Sequence, residues 1–213
     1  MDDQSWLKLL QQYRAIAVIR SPQQSLGLKM AQAVAAGGIR LIEITWNSQS
    51  PGSLITQLRS QLPDYIIGAG TILNKCQLNE AIAAKAQFLF SPHTNPLLIQ
   101  GAIAAGIPIV PGALSATEIV TAWQAGASCV KVFPCQAVGG ANYIKSLQGP
   151  LGQIPLIPTG GVTLNNASEF LAAGAIAVGL SSQLFPQELI AAEDWQGITE
   201  RAKFLQEKLL INC

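Results

Sequence analysis

Short apolar runs return along the chain at roughly 20–26-residue spacing, about the length of one strand plus one helix. They read AIAVI (15–19), IRLIEI (39–44), YIIGAG (65–70), AQFLF (86–90), IPIV (107–110), SCVKVF (128–133), IPLIP (154–158) and AIAVG (175–179). Between them the apolar positions follow a helical period, as in LGLKMAQAVAAGG (26–38), ATEIVTAWQAGA (116–127) and NNASEFLAAGA (165–175). The amphipathic start MDDQSWLKLLQQYR predicts one further helix ahead of the first strand. Gly37, Gly106, Gly126 and Gly174 close helical stretches, where a residue without Cβ is favoured.

Four helix-to-strand joints resemble one another: VAAGGIRLIEI, AIAAGIPIV, AWQAGASCVKV and FLAAGAIAVG. One unit repeated at this period, with no linker, predicts a single α/β domain over 1–213, a (β/α)8 TIM barrel with an extra N-terminal helix. A doubly wound open sheet is the alternative, but the first strand is followed by RSPQQS rather than by a glycine fingerprint.

Apolar types make up 49% of the 213 residues and charged types only 12%, which suits strands covered on both faces. A net charge of +1 provides no field for nucleic acid or an anionic membrane. Gly, Pro or charge breaks every long apolar run, and the N-terminus lacks the pattern of a signal peptide. Cys76, Cys129, Cys135 and Cys213 form no C-x-x-C pair, and His93 is the one histidine. No metal or other cofactor is expected, and a reduced cytoplasmic setting fits.

So few charges allow each to be weighed. Most fall on predicted helices or loops; Arg20, Glu43 and Lys131 alone stand within or at the end of predicted strands. Each could reach out to water, and two could form a structural ion pair. Together, from three strands at one end of the sheet, they point to a site. Alternation puts Cys129, Lys131 and Phe133 on one face, and Glu43 on a face with Leu41 and Thr45. Burial disfavours a charged amine, and a neutral lysine can attack a ketone to form a Schiff base. A facing carboxyl group can shuttle protons to the carbonyl oxygen. In IPTGGVT (157–163), Gly160 and Gly161 offer backbone N–H groups to a phosphate or simply make a tight turn; Gly179 and Ser181 follow on the next strand. Thr71 could bond a substrate carboxylate or cap a helix. Arg20 could take a carboxylate or a phosphate.

These residues resemble the short class I aldolases that cleave 2-keto-3-deoxy-6-phosphogluconate (KDPG) or its galactonate epimer (KDPGal). The similarity runs through AVIR (17–20), GGIRLIEIT (37–45), IGAGTILN (67–74), FSPHTNP (90–96), VPGALSATE (110–118), VKVFP (130–134) and PTGGVT (158–163). It implies a barrel assembled as a homotrimer, with Lys131 forming the Schiff base and Glu43 as general acid/base. It implies Thr71 and Arg20 at the substrate carboxylate, Phe133 and Pro134 shaping the pocket, and Gly160, Gly161 and Ser181 at the phosphate. Products would be pyruvate and glyceraldehyde 3-phosphate, with no metal needed. Gluconate-type members commonly carry a leucine-arginine pair after E-I-T, the arginine binding the carboxylate. Here Trp46-Asn47-Ser48 stands there, as in the galactonate type with its strand-one arginine, matched by Arg20. His93 and Leu114 stand where smaller residues are common, so an altered pocket is expected.

Cleavage of 4-hydroxy-2-oxoglutarate needs the same lysine and glutamate. A metal-dependent epimerase fits poorly, for want of strand-end His and Asp. A non-catalytic sugar-phosphate-binding barrel is the remaining reading, but such a protein has no use for a buried amine.

Overall fold

The structure, a computed structural model, describes residues 1–210; Cys213 lies outside the described residues. Helix α1 (Asp3–Tyr13) leads into β1 (Ala15–Ile19), α2 (Gln24–Ala36), β2 (Leu41–Thr45), α3 (Pro51–Gln61) and β3 (Ile66–Gly70). Then come α4 (Lys75–Ala83), β4 (Leu89–Phe90), α5 (Pro96–Ala104), β5 (Ile109–Val110), β6 (Gly112–Ala113) and α6 (Ala116–Gln124). The chain continues through β7 (Val130–Val132), a 3-10 turn at Cys135–Val138, α7 (Ala141–Leu151), β8 (Leu156–Pro158), α8 (Ala167–Ala172), β9 (Val178–Leu180), α9 (Gln187–Ala191) and α10 (Trp195–Leu210). None of the described helices is long and apolar enough to cross a membrane.

Every paired strand is parallel to its neighbours. Six strands run in the order β5-β4-β3-β2-β1-β9 and three in the order β6-β7-β8. The expected single eight-stranded sheet is thus resolved as two. Pro111 is one physical cause: it has no N–H, so the ladder breaks there and splits the fifth run into β5 and β6. Its carbonyl still accepts the Lys131 N–H at 2.9 Å. Single links span the gaps between the sheets: Ser128 N–H to Ile109 O at 3.3 Å, Ile176 N–H to Leu156 O at 3.0 Å, and a Thr159–Gly179 bridge.

Alternation along the strands sorts the core into two clusters. Ala17, Ile42, Ile44, Ile67, Val130 and Val132 face outward with the apolar faces of the helices. Ile16, Val18, Leu41, Phe88, Phe90, Cys129 and Ile157 face inward. Among the described helices only α1 supplies fully buried residues to this inner cluster, through Trp6 and Leu10. Trp6 stacks on Phe88 at 4.9 Å, and Ser128 bonds Asp3. So α1 covers the end where the strands begin, and the opposite end stays open.

Local chemistry sets the helix ends. Ser115 and Glu118 form a reciprocal capping box on α6. Asn74 and Asn95 cap α4 and α5 through their side chains. Gly106, Gly126 and Gly174 take the left-handed conformation after their helices, as expected. At the first joint that residue is Gly38, not Gly37. Gly37 instead lets α10 approach: a Cβ there would meet Thr199 O at 2.6 Å.

Candidate active site

At the ends of the strands opens a cavity of about 370 Å3. Val18 and Arg20 reach it from β1, Glu43 and Thr45 from β2, and Thr71 from the turn after β3. Lys131 and Phe133 reach it from β7. Thr159, Gly160 and Gly161 follow β8, and Gly179, Ser181 and Ser182 close the wall from β9. The structure therefore brings together all of the sequence-predicted site residues except Pro134. That residue stands behind the wall, with its Cα 3.2 Å from where a Cβ of Gly160 would be.

Lys131 is 7% exposed and sits in register with Gly112 on one side and Ile157 on the other. Its Nζ lies 5.6 Å from the Phe90 ring centre and 5.0 Å from that of Phe133. An inward strand position between two aromatic rings holds the amine on apolar walls, as alternation anticipated.

Glu43 is 1% exposed, and neither carboxyl oxygen has a hydrogen-bond partner. Burial pushes its pKa above the ordinary 4.5, while the charges of Lys131 and Arg20 pull part of the way back. A hydrogen-bonded structural ion pair is thereby excluded. Burial thus favours the acid form of this carboxyl group more than water does, and both of its oxygens are without a hydrogen-bond partner and can meet a ligand.

Arg20 is exposed at the rim, and its Nε donates to Asn47 Oδ1 at 3.2 Å. Thr71 adopts φ +59°, an outlier for a β-branched residue. It is not the helix cap: Asn74 caps α4 by accepting the Gln77 N–H at 3.0 Å. Gly160 and Gly161 have φ of +83° and +89°. Their carbonyls are tied away, accepting from Gln136 N–H at 3.0 Å and Asn166 Nδ2 at 3.1 Å. Their N–H groups have no acceptor among the described residues, so the turn presents paired donors.

His93 and Leu114 do not line the cavity. His93 Nδ1 lies 3.1 Å from Ser91 Oγ, and Leu114 O accepts the Tyr143 hydroxyl at 2.6 Å. Of the other lining residues, Thr45 and Thr159 were legible by register. Thr45 lies two positions beyond Glu43, and Thr159 two beyond inward-facing Ile157. Val18, Pro92, Val162 and Ser182 carried no such signal, being neutral and common. Among the described residues no three of His, Cys, Asp or Glu stand close enough to hold a metal ion.

An amine and a free carboxyl group, buried in one cavity at the strand ends of a parallel α/β fold, define an enzyme suited to carbonyl substrates. Residues 7–201 match the family model described as KDPG and KHG aldolase. A 2-dehydro-3-deoxy-phosphogluconate aldolase of Treponema pallidum is 36% identical over 190 residues, 89% of this chain and 90% of that protein. The KHG/KDPG aldolase of Escherichia coli K12 is 34% identical, over 82% of each chain. The KDPG aldolase of Legionella pneumophila, solved with pyruvate captured as a covalent carbinolamine, superposes with a TM-score of 0.86 at 30% identity, covering 93% of this chain and 97% of that one. The chain belongs to the KDPG and KHG aldolase family, and is a lyase of the aldolase type.

Proposed function

We propose that this chain is a class I aldolase that cleaves KDPG or its galactonate epimer to pyruvate and glyceraldehyde 3-phosphate. The observation that carries this reading is the shared cavity of Lys131 and Glu43. The Lys131 amine, once it has given up its proton, attacks the C2 ketone. Glu43, as the acid, protonates the oxygen so that water leaves and an iminium forms. The carboxylate left behind takes the C4 hydroxyl proton, directly or through a water. The C3–C4 electron pair flows into the iminium, giving an enamine and a free aldehyde. A proton returned to C3 and one water then release pyruvate and the amine. Arg20 and Thr71 hold the 2-keto acid's carboxylate, Phe133 bounds the reacting carbons with Pro134 behind it, and Gly160, Gly161, Gly179 and Ser181 line the phosphate site.

The test is reductive trapping. Borohydride added with pyruvate leaves a covalent adduct on Lys131, seen by mass spectrometry of a digest. An unmodified Lys131 under conditions that reduce a control imine would refute the mechanism and favour a non-catalytic binder. Between the epimers, the Arg20–Asn47 bond favours the galactonate type, in which these residue types occur together. A solved native KDPGal structure is similar to this chain, at 29% identity with a TM-score of 0.84. Parallel assays of both epimers and of 4-hydroxy-2-oxoglutarate rank the three.

The same reading takes 1–213 as one domain and the two sheets as arcs of one (β/α)8 barrel. The hydrogen bonds across both gaps and the inward-facing cluster support that reading. It takes the protein as a cytoplasmic homotrimer. Free Cys76, Cys129 and Cys135 suit a reducing compartment. Leu73 and Leu97, 48% and 77% exposed, are large apolar side chains that a neighbouring copy would cover. Light scattering on the purified chain tests the assembly.

A further inference from the structure

Residues 181–185 make a single turn after β9. Leu184 and Phe185 donate their N–H groups to Ser181 O, at 2.8 and 3.1 Å. The Gln183 carbonyl is gripped by Arg201 of α10, through Nε at 2.9 Å and Nη2 at 2.7 Å. Two charge-assisted donors on one acceptor make a strong and directional hold. Arg201 and Gln183 also border a separate cavity of about 500 Å3, lined by α10 residues such as Gly197 and Phe204. Neither is among the residues lining the catalytic cavity.

These bonds are connected in series. Gln183 C=O and Leu184 N–H are the two ends of one peptide group. Ser181 C=O and Ser182 N–H are the two ends of another. Arg201 draws electron density towards Gln183 O, which makes the Leu184 N–H a better donor. That N–H is spent on Ser181 O, which in turn makes the Ser182 N–H a better donor. Coupled hydrogen bonds reinforce one another in this way. The Ser182 N–H has no acceptor among the described residues, and Ser182 lines the catalytic cavity.

We propose that Arg201 is a positioning residue for the anionic end of the substrate: from behind the wall it fixes the 181–185 turn and polarises the Ser182 amide. This rests on the reading that the substrate phosphate lies against Gly160, Gly161 and Ser181. A simple tether for α10 does not account for the arrangement, because other contacts already dock that helix. Thr199 Oγ1 donates to Ala33 O at 3.0 Å, and Ala202 packs on Gly37.

The experiment compares the full-length parent with Arg201→Met, which loses charge and fork, and Arg201→Lys, which keeps the charge. Three quantities are measured: KM and kcat for the 6-phosphorylated 2-keto acid, inhibition by glycerol 3-phosphate, and borohydride capture of half-saturating pyruvate. Arg201→Met should raise KM and the inhibition constant about tenfold, with kcat within about twofold, because a remote anion contributes mainly uniform binding. Arg201→Lys should fall between. Capture of pyruvate, which has no phosphate, should match the parent. A KM within twofold of the parent, or pyruvate capture falling in step with phosphate affinity, overturns the proposal. If Arg201→Met does not fold, the same criteria are applied to Arg201→Lys. A parent that neither cleaves a 6-phosphorylated substrate nor binds glycerol 3-phosphate overturns the phosphate reading as well, which separates the two failures.

Discussion

Gly70 leaves the space that the Glu43 carboxyl group fills. The two sit on neighbouring strands, and a Cβ on Gly70 would overlap Glu43 Oε1 and Cδ and stand 2.6 Å from Cγ. Gly70 is not in the left-handed conformation, so alanine fits its backbone, and the three atoms nearest the added methyl all belong to the Glu43 side chain. Gly70→Ala should therefore act as a mutation of Glu43 at one remove. The expected outcome is a drop in kcat of about a hundredfold, within the range that a general acid/base supplies. The chain should stay folded, and Lys131 should still be trapped with pyruvate, although more slowly. Steady-state assay with circular dichroism checks this; parental kcat in a folded Gly70→Ala would show that Glu43 need not stay where it is.

Glu43 also gives the site a pH signature in stability. Burial raises its folded pKa above 4.5, with Lys131 and Arg20 opposing. Between those two values the native state holds a proton that the unfolded chain has lost, so stability falls as pH rises through the window. The contribution is fully present below about 4.5, the unfolded value. Glu43→Gln keeps the shape and removes the titration. It should be more stable than the parent at neutral pH, and the gain should shrink towards acid pH. Denaturant melts of both proteins across that range measure it. A gain that grows as pH falls would mean that the carboxylate is held by partners rather than strained by burial.

Asn47 is the means by which the Arg20 side chain is oriented. One hydrogen bond at 3.2 Å ties Nε to Oδ1, leaving the terminal nitrogens for a ligand. Both residues are exposed, so solvent weakens the tie. Asn47→Ala is expected to raise KM for the 2-keto acid about three- to fivefold with little change in kcat. Arg20→Ala should cost about tenfold or more, since it removes the charged group itself. Equal effects from the two variants would show Asn47 to be a ligand in its own right.

Lys131, Glu43 and Arg20 could be read from the sequence because charge is scarce and strand alternation assigns each a face. The same alternation put Phe133 beside Lys131. It also put Thr45 on the face of Glu43 and Thr159 on that of Ile157, and the structure pairs Thr45 with Gly70 and bridges Thr159 to Gly179. The break of the fifth run at Pro111 was written in the sequence, but its effect depends on which neighbour lacks a donor. The Arg201 grip on Gln183 joins residues 18 positions apart, and neither local period nor composition marks such a pair. The separate role of Gly37 was likewise invisible, because it depends on α10, more than 150 positions away, packing across α2.

Thr71 stores strain where the strand turns away from the cavity. An L-residue in the left-handed region loses about 1–2 kcal/mol, and a β-branched one is least suited to it. At φ +59° and on the cavity wall, its hydroxyl is the feature that a simpler turn residue would lack. Thr71→Gly should relieve the strain, offset in part by the greater freedom of glycine in the unfolded chain, for a net gain of about 0.5–1 kcal/mol. It should lose the hydroxyl contact to substrate, lowering kcat/KM about tenfold. Thr71→Ser separates the two effects: it keeps the hydroxyl without the branch and should stay near parental activity. Stability falling in Thr71→Gly would mean that packing of the threonine methyl outweighs the strain. Unchanged kcat/KM in that variant would remove Thr71 from the substrate site.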